Sequence, residues 1–309
     1  MPINNKNTTP NIVTGGQLIN FRDSWKIFSM IAEMVEGLKF LKELKNEVTV
    51  MGSARIPTNN KYYKIAEELG YKLAQNGFTV ITGGGPGIME AANKGAYEAG
   101  GESIGINIQL PFEQRINPYV KKSIALEYFY TRKVMLTSPA NGLILLPGGF
   151  GTLDEFFEVV DYMEMKQMER MPVVMVGKEF WEPIINFVRH QSCEKIKALD
   201  AKELDNWHIV DTADEAMKLI KGAKDITTIE SETTENPYMQ GEANWRMFRI
   251  MAELVNSFEF LTDNVPMKSV TVLGTKNILP GSKYFNEAYE VGKILAKNKF
   301  VTITGGGLG

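Results

Sequence analysis

Three short apolar runs in this chain each end in a glycine-rich turn that opens onto a helical stretch, and that pairing confines the fold. The runs are Val48–Met51, Phe78–Ile81 and Gly142–Leu146. The turns are Gly52-Ser53-Ala54-Arg55, Thr82-Gly83-Gly84-Gly85-Pro86-Gly87 and Pro147-Gly148-Gly149-Phe150-Gly151-Thr152. Further strands are expected at Ser103–Ile106, Leu126–Phe129, Val173–Val176 and His208–Val210. An amphipathic helix is expected over 24–42, where Ile27, Ile31, Met34, Val35, Leu38 and Leu41 recur at helical spacing. Other helices are expected at 61–76, 87–99, 131–138, 152–168, 180–190 and 212–221. Continuous apolar strands separated by helices imply a parallel sheet covered on both faces. The predicted class is doubly wound α/β, a Rossmann-like sheet whose ligands bind outside the carboxyl ends of the strands.

The chain repeats itself. Val48-Thr49-Val50-Met51-Gly52-Ser53 returns as Val270-Thr271-Val272-Leu273-Gly274-Thr275, a spacing of 222 residues (270 minus 48). The same spacing pairs Tyr62 with Tyr284, Gly70 with Gly292, and Thr82-Gly83-Gly84-Gly85 with Thr304-Gly305-Gly306-Gly307. Upstream, Trp25 and Phe28–Glu33 match Trp245 and Phe248–Glu253 at 220 (245 minus 25). Duplication is the expected cause. The second copy stops inside its own glycine loop, so a truncated repeat is expected. The expected division is a flexible N-terminus over 1–21, a complete α/β domain over 22–222, a Thr/Glu/Ser-rich linker over 223–236, and a partial second repeat over 237–309.

Bulk composition excludes several classes. The 309 residues carry 34 Lys+Arg against 37 Asp+Glu, a net charge of -3, which argues against a broad basic surface for nucleic acid. No apolar stretch approaches the length of a membrane helix, and no signal peptide is expected, since Met1-Pro2-Ile3-Asn4-Asn5-Lys6 lacks its apolar run. The single cysteine, Cys193, permits no internal disulfide and suits a reducing cytoplasm. With two histidines, His190 and His208, a His-based metal centre is not expected.

The chemistry concentrates at the turns. Glycine lets backbone amides approach an anion closely, and the helix that follows adds partial positive charge. Gly83, Gly84, Gly85 and Gly87, with Gly148, Gly149, Gly151 and Thr152, are therefore expected to cradle a phosphate. Neither loop is a Walker A, since no Gly-Lys-Ser/Thr follows. Glu155 falls beside the second cradle, although the Thr152-x-x-Glu155 spacing also fits a capping box. Arg132 and Lys133 are expected at the start of a helix, where two cations oppose the dipole unless an anion offsets them. Ser53 and Arg55 are candidates for further phosphate contacts, and Met89 and Glu90 for the wall of a base pocket. Met163, Met165, Met168 and Met171 read as core and interface filler.

Pro147-Gly148-Gly149-Phe150-Gly151-Thr152-Leu153-Asp154-Glu155 resembles the PGGxGTxxE motif of the LONELY GUY (LOG) family. Its members are cytokinin riboside 5′-monophosphate phosphoribohydrolases and related bacterial nucleotide nucleosidases, long labelled "lysine decarboxylase-like". Arg132-Lys133 is similar to that family's Arg-Lys pair, and Thr82–Gly87 to its TGGGxxG loop. The resemblance covers roughly residues 22–222. It departs at Tyr130-Thr131, where short plant-type members often carry a His before the Arg-Lys pair. The helical extension and the duplication resemble longer bacterial members.

The resemblance implies a hydrolase that splits a nucleoside 5′-monophosphate, AMP- or GMP-like or a cytokinin riboside monophosphate, into free base and ribose 5-phosphate. Glu155 and Arg132 would be the catalytic residues, with no metal or cofactor. A homodimer is also implied. The alternative is a non-catalytic nucleotide-binding or carrier module on the same fold, which fold alone does not separate from an enzyme.

Overall fold

The computed structural model describes residues 12–14, 17–19, 21–109, 116–138, 140–204, 207–230, 252–253, 255–257, 268–275 and 277–306. After helix α1 (Phe21–Leu41) come β1 (Glu47–Met51), α2 (Lys61–Gln75), β2 (Thr79–Thr82), α3 (Ile88–Glu98) and β3 (Ser103–Ile108). Next are β4 (Lys122–Leu126), α4 (Phe129–Thr137), β5 (Leu143–Leu145) and α5 (Phe150–Glu164). The unit closes with β6 (Val173–Val176), α6 (Lys178–Phe187), β7 (Trp207–Val210) and α7 (Ala213–Glu230).

The seven strands form one sheet in the order β4-β3-β2-β1-β5-β6-β7, parallel at every pairing. The chain builds outward from β1 to β4, then crosses back to lay β5 on the other side of β1. That reversal opens a crevice beyond the carboxyl ends of β1 and β5, where an α/β sheet receives its ligand. Strands β1, β2, β3, β5 and β6 are buried along their whole length, as a sheet covered on both faces requires.

Each face has its own core. Met34 of α1, Met135 of α4, Phe156 of α5 and Trp181 of α6 pack on one side. Leu69 of α2, Ala92 of α3 and Ala216 of α7 pack on the other. Phe156 centres the first core, its ring 5.4 Å from Trp181 and 5.0 Å from Trp207. The Trp181 indole N–H donates to the Leu145 carbonyl at 3.2 Å, satisfying the polar end of a buried ring.

Several expected boundaries move. The strand expected at Leu126–Phe129 lies earlier, at Lys122–Leu126, and Phe129 already belongs to α4. As an edge strand paired only with β3, it stays largely solvated, with Leu126 alone buried, so it lacks the apolar run of an interior strand. Helix α5 starts at Phe150 and ends at Glu164, ahead of the expected 152–168. After α6 the chain continues as a π-helix over Val188–Lys195. Helix α7 runs to Glu230, into the stretch expected to be a linker.

Residues 231–236 of that stretch lie outside the described residues, as do most of 1–21 and much of the expected second repeat. Of the latter, β8 (Ser269–Thr271) and β9 (Val301–Ile303) pair in parallel across helix α8 (Lys283–Lys297). No helix among the described residues is long and apolar enough to cross a membrane.

Candidate active site

The three glycine turns meet at one edge of the sheet. The Ser53 amide donates to the Pro147 carbonyl at 3.0 Å, and the Ile88 amide donates to the Ser53 carbonyl at 3.0 Å. Those two bonds tie the loop after β1 to both of the others. Gly87 has φ +70, and a Cβ there would stand 2.4 Å from the Ser53 oxygen, so no larger residue fits this crossing.

The Gly83–Gly85 turn is held from beneath by a buried amide network that the sequence did not announce. The Thr82 hydroxyl donates to Asn93 Oδ1 at 2.6 Å, and the Gly84 amide donates to the Thr82 hydroxyl at 2.9 Å. Asn117 Nδ2 reaches the Gly84 and Gly85 carbonyls, each at 3.1 Å, and Asn93 Oδ1 at 3.0 Å. Asn93 Nδ2 continues to the Ser103 hydroxyl at 2.9 Å. From above, each glycine meets a different side chain. A Cβ on Gly83 would lie 2.4 Å from Arg132 Nη2; on Gly84, 2.4 Å from Asn107 Oδ1; on Gly85, 2.8 Å from Met89 Cε. These glycines are short so that protein side chains can lie on them.

Arg132 and Lys133 are the fourth and fifth residues of α4, not its first. The cost expected for two cations at a helix start is met within the protein. Glu33 of α1 places its carboxylate on that terminus, accepting from the Glu127 amide, from the Tyr128 amide at 3.3 Å and from the Thr131 hydroxyl at 2.6 Å. Burial pulls the Lys133 pKa down, but its Nζ sits 2.7 Å from Asp154 and also pairs with Glu158, and together the acids raise it. Arg132 is half-buried, its Nε donating to the Ile106 carbonyl at 3.1 Å at the end of β3. Burial pulls its pKa down, and the charge of Glu155 opposes that pull.

Helix α5 begins with no side-chain cap: Gly149 is the N-cap residue, φ -95. Thr152 lies inside the first turn, buried, with its hydroxyl packed where a Gly148 Cβ would be, so it does not cap the helix. Gly149 and Gly151 face open space, where an added Cβ meets nothing within 4 Å. Gly149, Phe150 and Gly151 are exposed, so the uncapped, positively polarised N-terminus of α5 is accessible.

Glu155 is the sixth residue of α5, in the second turn, and is not a capping-box acid. Its exposure is only 4%, and its Oε2 is buried without a hydrogen-bond partner. Desolvation lifts its carboxyl to about 7; Lys133 and Arg132 pull it down, while Glu158 and Asp154 push it up. A carboxyl half-ionised near neutral pH is suited to proton transfer and to stabilising positive charge.

The other expected site residues divide. Ser53 is fixed in the loop crossing, its hydroxyl accepting from the Arg55 amide at 3.1 Å. Arg55 is exposed and makes no ion pair among the described residues. Lys133 lines a cleft of about 630 Å³ with Asp154, Glu158, Tyr162 and Trp207, immediately beside Glu155 in sequence. Asn93, Asn107, Asn117 and Glu33 went unread, because an isolated Asn or Glu has no local pattern that distinguishes a buried network from a solvated surface.

Residues 89–220 match the family model described as "Possible lysine decarboxylase". A cytokinin riboside 5′-monophosphate phosphoribohydrolase of Rhodococcoides fascians is 25% identical over 150 residues, spanning 48% of this chain and 76% of that protein. The enzyme of the same description from Oryza sativa subsp. japonica, LOG, is 29% identical over 147 residues, spanning 46% of this chain and 60% of that protein. Among solved structures, the Moco carrier protein of Chlamydomonas reinhardtii is 27% identical with a TM-score of 0.44, covering 59% of this chain and 98% of that one. Over this region the chain is thus similar to cytokinin riboside 5′-monophosphate phosphoribohydrolases, in line with the resemblance carried by its Arg132-Lys133 pair and its Pro147–Glu155 run.

Proposed function

We propose that this protein hydrolyses the N-glycosidic bond of a nucleoside 5′-monophosphate, with Glu155 as its catalytic carboxylate and Arg132 as its partner. The observation that carries the reading is Glu155 itself: a buried carboxyl, brought to about pKa 7, with one oxygen unpartnered and the Arg132 charge acting on it. Such bonds break through a ribosyl cation-like transition state. The C1′–N bond breaks with its electron pair going to the departing base, which takes a proton from solvent. Ionised Glu155 stabilises the positive charge at C1′ and accepts a proton from the water that forms the new C1′–O bond.

The 5′-phosphate is assigned to the Gly148–Gly151 turn and the helix terminus behind it, where Gly149, Phe150 and Gly151 are exposed. Thr152, Ser53, Arg55 and Lys133 are assigned to the same phosphate in this reading. Gly83–Gly87 contributes differently in this reading, by seating Arg132 against the phosphate and ribose. Anchoring the phosphate lets remote binding energy orient the sugar against Glu155. Incubating the purified protein with a panel of nucleoside monophosphates, followed by chromatography, should reveal free base.

Two further parts of the reading concern organisation. A homodimer is proposed on the face formed by α1, α4, α5 and α6, where Phe28, Phe129, Phe150 and Phe187 are all more than half exposed. Light scattering at the mass of two chains is the expected result. The segment β8-α8-β9 is proposed as a second copy of β1-α2-β2. In support, α8 begins and ends 222 residues after α2 (283 minus 61; 297 minus 75). Gly306 and Gly84 share φ near +71, and each amide donates to the threonine two residues before it. A chain cut between residues 231 and 236 should keep base release.

A further inference from the structure

We infer that Asn107 recognises the sugar of the substrate, its carboxamide oxygen accepting a hydrogen bond from a ribose hydroxyl; this rests on the hydrolysis proposed above. Among the described residues, two buried side-chain polar atoms have no hydrogen-bond partner, Glu155 Oε2 and Asn107 Oδ1. Buried polar atoms are paired almost everywhere in folded proteins, because an unpaired one keeps its full desolvation penalty. That both exceptions fall at this sheet edge points to a ligand that completes them.

The position of Asn107 follows from its neighbours. It is the penultimate residue of β3 and only 4% exposed. The residue before it, Ile106, anchors Arg132 through its carbonyl. Its own Oδ1 lies over Gly84, while Arg132 Nη2 lies over Gly83. Asn107 and Arg132 therefore stand side by side on consecutive glycines, and the charge of Arg132 is felt at Glu155.

Two donors beside the Gly84 turn are already committed to protein atoms. The Gly84 amide is held by Thr82, and the Asn117 side-chain amide is shared between Gly84, Gly85 and Asn93. Arg132 Nη stands next to Asn107 without bonding it and is assigned above to the phosphate and ribose, so in this reading the ligand supplies the missing donor. A phosphate offers acceptors. A sugar lying between Arg132 and Glu155 offers hydroxyl donors. Met89, whose sulfur and methyl cover Gly83 and Gly85, is a flexible thioether able to swing aside as the sugar enters. A site built to bond a hydroxyl rejects the analogue that lacks it, since its own buried acceptor is then left unpaired.

The test compares base release from AMP, 2′-deoxy-AMP and 3′-deoxy-AMP by the wild-type protein, Asn107→Ala and Asn107→Ser. The wild type should favour AMP over at least one deoxy analogue by about 10-fold or more. In both variants that ratio should fall to about 2-fold or less, because the rate on AMP drops more than the rate on the analogue. Equal slowing on all three nucleotides, or a wild type indifferent to both hydroxyls, overturns the assignment. Calorimetric binding of ribose 5-phosphate against its 2-deoxy and 3-deoxy analogues to the wild-type protein reads the same preference without hydrolysis or a variant. Equal binding of all three sugars also overturns it. If no nucleotide yields base yet ribose 5-phosphate binds preferentially, the hydrolase reading fails and the Asn107 assignment stands.

Discussion

The guanidinium of Arg132 rests on Gly83, its Nη2 2.4 Å from where a Cβ would stand. A methyl group at that position collides with the far end of a flexible side chain, which moves while the backbone stays. Gly83→Ala is therefore expected to change stability by about 1 kcal/mol or less, yet to displace Arg132 and slow base release about 10- to 100-fold. Gly149→Ala provides the contrast. Its Cβ meets open space, so the fold should be untouched while KM rises through crowding of the phosphate shelf. Thermal unfolding and steady-state kinetics on both variants check the pair.

Glu33 joins the N-terminal helix to the helix that carries Arg132. Truncation to Ala removes three accepted hydrogen bonds at the start of α4 and should cost about 1–2 kcal/mol. Looser seating of Arg132 should lower kcat as well. Chemical denaturation and kinetics on Glu33→Ala would show both effects; unchanged values in both would remove the linkage.

Glu155 makes stability and activity depend on pH in opposite directions. Burial raises its carboxyl from 4.5 when unfolded to about 7 when folded. The folded state thus holds the proton more tightly, and the stability this contributes is present below about pH 4.5 and lost as pH rises through about 7. Base release needs the ionised form and should increase across the same pH range. Glu155→Gln should be more stable than the wild type near pH 8, by on the order of 2 kcal/mol, while losing base release. Denaturation curves at about pH 5 and about pH 8, run alongside rate profiles, test both signs.

Lys133 is the largest influence holding the Glu155 pKa down. Lys133→Met should move the acid limb of the rate profile to higher pH and cut the rate at neutral pH about 3- to 10-fold. A profile superimposable on the wild type would mean that Lys133 does not act on Glu155.

The fold was legible because its interior strands are uninterrupted apolar runs and its turns are glycine-rich: β1, β2, β5 and β6 lie within a residue or two of where the runs predicted. The edge strand β4 was misplaced because it is paired on one side and carries Lys122 and Ser123. At the site, the motif put Arg132 and Glu155 on the right helices, but not their depth. Thr152-x-x-Glu155 reads as a capping box only while α5 is taken to begin at Thr152; a start at Phe150 turns the same carboxylate inward. Asn107 and Asn117 were unreadable because the Asn117 side-chain amide bonds residues 24 to 33 positions away and Asn107 Oδ1 has no partner among the described residues.

The most direct test is chromatographic detection of free adenine from AMP by the wild-type protein and by Glu155→Ala, with nucleotide binding measured in parallel. Adenine released by the wild type and not by the variant, with AMP still bound by both, is the expected result. Wild-type turnover by Glu155→Ala, or tight AMP binding by the wild type with no adenine over hours, would contradict it.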